Sequence, residues 1–149
     1  MIEGVGEAIV HRPPEAIVAF VTDLERYKLA DWKIGRVLEV KRDGDRIFMR
    51  HDGALRGIPG PAVSLEMIVE SRTLVRYRSL PSFPSRFVLT FDGGFAMTET
   101  PDGTHVVHTE RFRFFAPFRW IAEPFLRRWI AVDVAAEMQR LKEILEAEG

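Results

Sequence analysis

The chain has 149 residues, of which 46% are hydrophobic and 29% are charged, so it is long enough to bury one substantial core. It contains no cysteine, which excludes disulfide bonds and thiolate metal sites and favours a reducing cytoplasm. The formal net charge of −1 supplies no field that would gather the phosphates of a nucleic acid. Neither a signal peptide nor the ~20 apolar residues of a membrane span is apparent. We therefore expect a cytoplasmic protein that does not bind nucleic acid.

The first part of the chain predicts a strand followed by two short helices. The segment "EGVGEAIVH", residues 3–11, is the predicted strand. In "RPPEAIVAFV" two prolines and an acidic residue precede an apolar run, which predicts a helix that begins near Pro13. In "TDLE", Thr22 stands three residues before Glu25, the spacing of a capping box, so a second short helix is predicted there.

The middle of the chain, after Trp32, has runs of period two separated by turn signals. Four successive antiparallel strands are predicted from "RVLEVKR", "RIFMRHDG", "AVSLEMIVE" and "LVRYRSL". The segments "FVLTFDGGFAMTET" and "THVVHTERFRFF" form a last hairpin through the turn "PDG". Gly93 and Gly94 predict a bulge or a sharp bend in that hairpin. The loops "GALRGIPGP" and "SLPSFPSR" form either the rim of a site or rigid connections.

The predicted order is one strand, two short helices, six strands and a long helix, in a single domain over residues 1–149. This order, together with "VHRPPEAIVAFVTDLERYKLADW", the "PDGTHVVHT" hairpin and the closing "AAEMQRLKEILE", resembles the START-like helix-grip superfamily (SRPBCC), in particular its polyketide cyclase/dehydrase and lipid-transfer branch. The resemblance implies an α+β helix-grip fold, in which a curved seven-stranded antiparallel sheet wraps around a long C-terminal helix. A ligand cavity is expected between sheet and helix. Many members bind lipids, sterols, polyketides or hormones, and some are cyclases.

The final segment, "FRWIAEPFLRRWIAVDVAAEMQRLKEIL", predicts a helix with more apolar surface than a helix resting on a sheet requires. At about 100° per residue, its back half has one apolar stripe, whereas its front half is apolar over a wide arc that includes Phe125 and Trp129. Three interpretations stay open for this arc: packed core, the wall of a ligand cavity, or a membrane or protein contact, including a dimer contact, through the aromatic and basic segment 117–130. The resemblance favours the cavity, with Pro124 as a break or kink and "APFRWIAE" as a lid.

Strand alternation places several polar side chains on the apolar face of the sheet. The inward polar candidates, including one residue of the helix, are His51, Tyr77, His108, Glu110 and Asp133. A buried carboxyl group requires a partner, and a hydrogen-bonded structural role is the alternative to a ligand contact for each of the five.

The first functional interpretation is a carrier that binds a hydrophobic small molecule, such as a lipid, a polyketide or another apolar or aromatic metabolite, between the sheet and the helix. The predicted ligand-binding residues are His51, Met49, Met67, Tyr77, Phe112, Phe114, Trp120, Phe125, Trp129 and Asp133. The second interpretation is a cofactor-independent cyclase or dehydratase, in which His108 and Glu110 move protons and Tyr77 donates a hydrogen bond to an enolate oxygen.

The sequence predicts no metal, nucleotide or organic cofactor. His105 and His108 are three residues apart, but an odd offset on a strand sends the two side chains to opposite faces. Gly4 and Gly6 lie in the predicted first strand rather than at a strand-to-helix turn, so they lack the geometry that binds phosphate.

Overall fold

A seven-stranded antiparallel sheet and a helix of 31 residues dominate the computed structural model, which describes residues 1–149. The elements are β1 Ile2–Val10, α1 Pro14–Val21, α2 Leu24–Tyr27, β2 Ile34–Asp43, β3 Arg46–Leu55, β4 Ile58–Ser71, β5 Leu74–Leu80, a 3₁₀ turn Ser85–Phe87, β6 Leu89–Thr100, β7 Gly103–Phe114 and α3 Phe118–Glu148. This α+β architecture confirms the predicted helix-grip fold and the order of its elements. No helix combines the length and the hydropathy needed to cross a bilayer.

The sheet has the order β1-β7-β6-β5-β4-β3-β2, so β1 and β2 form its two edges. Strands that follow one another from β2 to β7 are paired neighbours, and β1 joins the sheet by pairing with β7. Helix α3 lies against β1. A Cβ atom on Gly6 would lie 2.3 Å from the carbonyl oxygen of Val134, so glycine at this position permits the close approach of strand and helix.

Two groups of buried apolar residues form the core. The larger group joins α1, α2 and the middle strands to the back half of α3, where Met138, Leu141 and Leu145 are buried. The smaller group joins β1 and β7 to the front half of α3 through Leu126 and Ile130. The long helix therefore contributes to both groups through a single buried stripe.

Three local predictions are wrong. Helix α3 continues through Pro124, so "APFRWIAE" is not a separate lid. The helix tolerates this proline because it removes only one backbone hydrogen bond, on an exposed face near the start of the helix. Thr22 does not cap α2, because its hydroxyl donates to the carbonyl of Val18 at 2.7 Å. Of the bulge or sharp bend predicted at Gly93 and Gly94, the bulge is absent, since β6 pairs in unbroken register with both neighbours there.

Candidate functional site

An apolar cavity lies over one face of the sheet, beside α2 and the loop that follows it. Atoms leave about 740 Å³ of space unfilled, part of which is open to solvent. Thirteen of the 21 residues in its wall are hydrophobic. The wall is formed by strands β2 to β7, by α2 and by the loop that follows α2. None of the 21 belongs to α3. The cavity therefore exists, but its wall does not include the front half of α3, and contact of that half with a ligand stays a prediction.

Six of the residues proposed from the sequence do lie in the wall: His51, Met67, Tyr77, His108, Glu110 and Phe112. Strand alternation found them because β3, β4, β5 and β7 present these positions to the same side of the sheet. His51 is buried, and its Nδ1 lies 2.9 Å from the carbonyl oxygen of Asp52. Burial lowers the pKa of His51, so this side chain is neutral at neutral pH. Contact of any of these residues with a ligand stays a prediction.

The other six proposed residues lie outside the wall. Met49 and Phe114 are buried in the two core groups, and Asp133 is buried in ion pairs. Trp120 is 68% exposed and Phe125 43% exposed, whereas Trp129 packs against the smaller core group. The reason is that α3 turns the neighbouring stripe, which contains Leu126 and Ile130, towards the sheet. A membrane or partner contact of segment 117–130 stays a prediction.

A buried lysine next to the cavity is the centre of a cluster of acidic groups. Lys33 follows α2, is only 6% exposed and lies in the cavity wall. Its ammonium nitrogen contacts four carboxylates, at 2.9 Å from Asp31, 2.9 Å from Glu137, 3.1 Å from Asp133 and 3.3 Å from Glu110. The cluster thus ties the loop after α2 to β7 and to α3.

Sequence reasoning missed Lys33, Asp31 and Glu137. Lys33 and Asp31 lie in a short loop without periodicity, where a charged side chain is ordinarily exposed. Glu137 gave a usable signal: it stands four residues after Asp133, so the two share one face of a helix. Two acidic residues on a face that is otherwise apolar indicate a buried cation opposite them.

A chain of hydrogen-bonding groups connects the acidic cluster to the sheet. Nε2 of His108 is hydrogen-bonded to the hydroxyl of Tyr77 at 2.9 Å, and the hydroxyl of Tyr27 donates to Glu137. Nδ1 of His108 lies 2.9 Å from Glu137, although the angle is too poor for a hydrogen bond, so we regard this contact as electrostatic. A Cβ atom on Gly93 would lie 2.5 Å from the Tyr77 hydroxyl, and glycine there leaves space for the phenol.

Burial and mutual charge shift the pKa values of these groups in opposite directions. Burial alone would lower the pKa of Lys33, but its four carboxylates outweigh burial and hold that pKa well above the ordinary value. Burial would raise the pKa of Glu137, yet Lys33 and His108 lower it to about 2. Lys33 and Glu137 are therefore charged across the physiological range.

Glu110 behaves differently from Glu137. Burial raises its pKa to about 7 because the single contact with Lys33 does not compensate for the loss of water and for the nearby carboxylates. Its Oε2 atom is buried without a hydrogen-bond partner, and the residue lies in the cavity wall. Glu110 is thus a carboxyl group that can exchange a proton near neutral pH and has one acceptor atom without a hydrogen bond.

Two further titratable groups of the wall, His108 and Tyr77, have raised pKa values. Burial opposes charge on His108, but Glu137 and Glu110 raise its pKa overall. Burial, followed by the nearby carboxylates Glu110 and Glu137, raises the pKa of Tyr77 well above its ordinary value. Tyr77 therefore stays protonated and can act as a hydrogen-bond donor.

Two overlapping sets of side chains have the composition of a metal site. Their candidate ligand atoms lie within 4.8 Å of one another, in the sets His108, Glu110 and Glu137, and Asp31, Asp133 and Glu137. The ammonium group of Lys33 is within 3.3 Å of every carboxylate in both sets. Lys33 therefore already supplies the cation that these carboxylates require, and we assign no metal to them.

Comparison with known proteins places the chain among proteins of one fold. The sequence model of a family described as "Polyketide cyclase / dehydrase and lipid transport" matches residues 1–146, which confirms the resemblance drawn from the motifs. No curated protein gives a significant match.

Three solved structures illustrate the shared fold. The Zhui aromatase/cyclase from a Streptomyces species has a TM-score of 0.80 at 14% identity, over 98% of this chain and 94% of that protein. The protein TTHA0849 from Thermus thermophilus has a TM-score of 0.77 at 21% identity, over 99% of both chains. A norcoclaurine synthase from Thalictrum flavum has a TM-score of 0.64 at 12% identity, over 98% of this chain and 94% of that one. At these identities the likeness shows the fold alone.

Proposed function

The chain belongs to the polyketide cyclase/dehydrase and lipid transport family, and on that premise we propose that it binds an apolar small molecule in the cavity beside α2. The body of the ligand contacts the hydrophobic wall. A polar group of the ligand, such as a hydroxyl or a carbonyl, lies against Glu110 and Tyr77.

The single observation that carries this proposal is the combination of an apolar wall with polar groups gathered at one place in it. Small-molecule sites are typically concave, mostly apolar and supplied with a few convergent polar groups. The polar residues of this wall are not scattered, because Lys33, Glu110, His108 and Tyr77 are linked by contacts of 3.3 Å or less through Glu137 and Lys33. Such an arrangement orients a ligand that is otherwise apolar.

Ligand binding is tested by thermal shift and native mass spectrometry with fatty alcohols, sterols and aromatic polycycles. A ligand that binds only the folded state raises the melting temperature by mass action. The variant Ala54→Phe adds a ring to the cavity wall and should abolish the shift, whereas Ala131→Phe adds the same ring on the exposed surface of α3 and should preserve it. An unchanged melting temperature with every apolar class would contradict the proposal.

Acid–base catalysis of a cyclisation or dehydration is the second candidate, and the pKa of about 7 at Glu110 favours it. As a carboxylate, Glu110 takes a proton from a carbon next to a ligand carbonyl; as an acid, it returns a proton to a hydroxyl that leaves as water. Tyr77 donates a hydrogen bond to the enolate oxygen. Glu110→Gln should then abolish turnover while ligand binding persists; turnover equal to wild type would remove this role.

A further inference from the structure

The polar part of the cavity wall is surrounded by more acidic groups than basic ones. Four carboxyl groups, on Asp31, Glu110, Asp133 and Glu137, face the two cations Lys33 and Arg140. The other titratable groups that face this region are Tyr27 on α2, His51 on β3, Tyr77 on β5 and His108 on β7. The site is therefore short of positive charge by up to two units when all four carboxyl groups are ionised and His108 is neutral.

The cations present are not available to a ligand. The ammonium of Lys33 has three protons and lies among four carboxylates within 3.3 Å. Arg140 donates to Asp133 and to the carbonyl of Ala30, and its guanidinium lies over the ring of Trp32 at 3.9 Å. A ligand carboxylate in this part of the cavity would therefore lack a free cation and would be repelled by Glu110 and Asp31.

One acceptor atom of a residue of the wall lacks a hydrogen bond. Oε2 of Glu110 is buried, has no hydrogen-bond partner and belongs to a residue of the cavity wall. The ammonium of Lys33 lies 3.3 Å from this atom but is shared with three closer carboxylates. A buried acceptor without a hydrogen bond is costly, and a charged donor satisfies it more strongly than a neutral one.

We propose that the polar part of the cavity selects a ligand with a protonated amine and discriminates against a ligand that ends in a carboxylate. This inference rests on the proposed binding function and specifies the chemical class of its ligand. The ammonium group of the ligand donates to the carboxylate of Glu110 and supplies one of the missing positive charges.

A pH dependence follows from the same geometry. In the empty protein, a proton on Glu110 partly compensates the missing charge below its pKa of about 7. An ammonium ligand replaces that proton, so each binding event releases up to one proton below about pH 7 and almost none well above it. Affinity for an amine should therefore rise by up to about tenfold per pH unit between about pH 5 and 7. Affinity for a neutral ligand should not show this rise.

The test compares three probes of equal chain length, octylamine, 1-octanol and octanoate, by isothermal titration calorimetry with the full chain. At about pH 8 we expect octylamine to bind at least about tenfold more tightly than 1-octanol, and octanoate to bind most weakly. Titrations in buffers of different ionisation enthalpy measure the protons released. Glu110→Gln should reduce the octylamine-to-octanol affinity ratio at least about fivefold. Glu143→Gln, which removes an exposed carboxylate of α3, should leave that ratio unchanged.

The outcomes separate this inference from the function on which it rests. If octanol and octanoate bind as tightly as octylamine, the amine preference is overturned while the binding function stands. An amine preference that survives Glu110→Gln overturns the role given to Glu110. If none of the three probes binds and no apolar class shifts the melting temperature, the proposed function fails together with the inference.

Discussion

Replacing Glu110 by glutamine should make the protein more stable at high pH, because glutamine has the shape of the protonated side chain and cannot ionise. Glu110 has its pKa raised from 4.5 to about 7 in the folded protein, first by burial. The folded state therefore holds a proton that the unfolded state has lost at every pH between these values. Stability consequently falls as pH rises through this interval, and Glu110→Gln does not suffer this loss.

The magnitude follows from the size of the shift. At about 1.36 kcal/mol per pKa unit, a rise from 4.5 to about 7 corresponds to about 3 kcal/mol. Glu137, with a pKa lowered to about 2, contributes stability that disappears only below about pH 4.5, outside this window. The raised pKa of His108 contributes stability that is present below about pH 6.5 and is lost as pH rises further; Glu137, which raises this pKa more than Glu110 does, is present in both proteins.

Urea unfolding of both proteins at several pH values measures the effect. Relative to wild type, Glu110→Gln should gain about 1 kcal/mol per pH unit between about pH 5 and 7, and the gain should level off near pH 8. Glu143→Gln controls for the loss of an exposed carboxylate on α3. A stability difference that is independent of pH, or one that favours wild type increasingly as pH rises, would refute the assignment of this raised pKa to Glu110.

Three further substitutions test the fold around the site. Lys33→Met leaves four buried carboxylates without their shared cation and should lower the unfolding free energy measured in urea by about 3–5 kcal/mol. The control Lys41→Met, at a 74% exposed side chain, should lower it by less than about 1 kcal/mol. Equal losses in the two variants would contradict the ion-pair cluster around Lys33. Gly6→Ala brings a methyl group against the backbone of α3 and should lower the unfolding free energy by about 1–3 kcal/mol. Gly60→Ala should not, because its Cβ atom would have no neighbouring atom closer than 3.9 Å. An unchanged unfolding free energy in Gly6→Ala would contradict the close approach of β1 and α3. Trp120→Ser should leave thermal stability within about 0.5 kcal/mol because the ring is 68% exposed, and a larger loss would mean that this ring is packed.

The fold could be predicted because each of its elements has a local signal. Period-two runs set the strands, prolines set the start of α1, and the turn "PDG" joins β6 to β7. The wrong predictions concern features that depend on neighbours. A pair of glycines in a strand indicates a bulge in isolation. Gly93 is required here because a Cβ atom would lie 2.3 Å from the carbonyl oxygen of Thr109 and 2.5 Å from the hydroxyl of Tyr77, which no local pattern reveals.

The orientation of α3 could not be predicted because two adjacent stripes of its front half are both apolar. One contains Phe125 and Trp129, and the other contains Leu126 and Ile130. Sequence periodicity cannot choose between stripes of similar hydropathy. The choice is made by β1, where a Cβ atom on Gly4 would lie 3.2 Å from a methyl carbon of Ile130, so the second stripe packs closely against the strand.

The position of the acidic cluster at the cavity is better explained by a role in a binding site than by a contribution to folding stability. Removing several charges from water is expensive, and well-packed apolar side chains of similar volume usually give a fold at least as stable as a buried ion pair does. The attraction between Lys33 and its four carboxylates is thus largely offset by the free energy of removing these charges from water, so the cluster adds little net stability. They do hold Glu110 at the cavity wall, in contact with a shared cation and with no hydrogen bond to its Oε2 atom. A carboxyl group kept near its titration point, beside an apolar cavity, is an arrangement that packing does not require and that the proposed recognition of a polar group on an apolar ligand does.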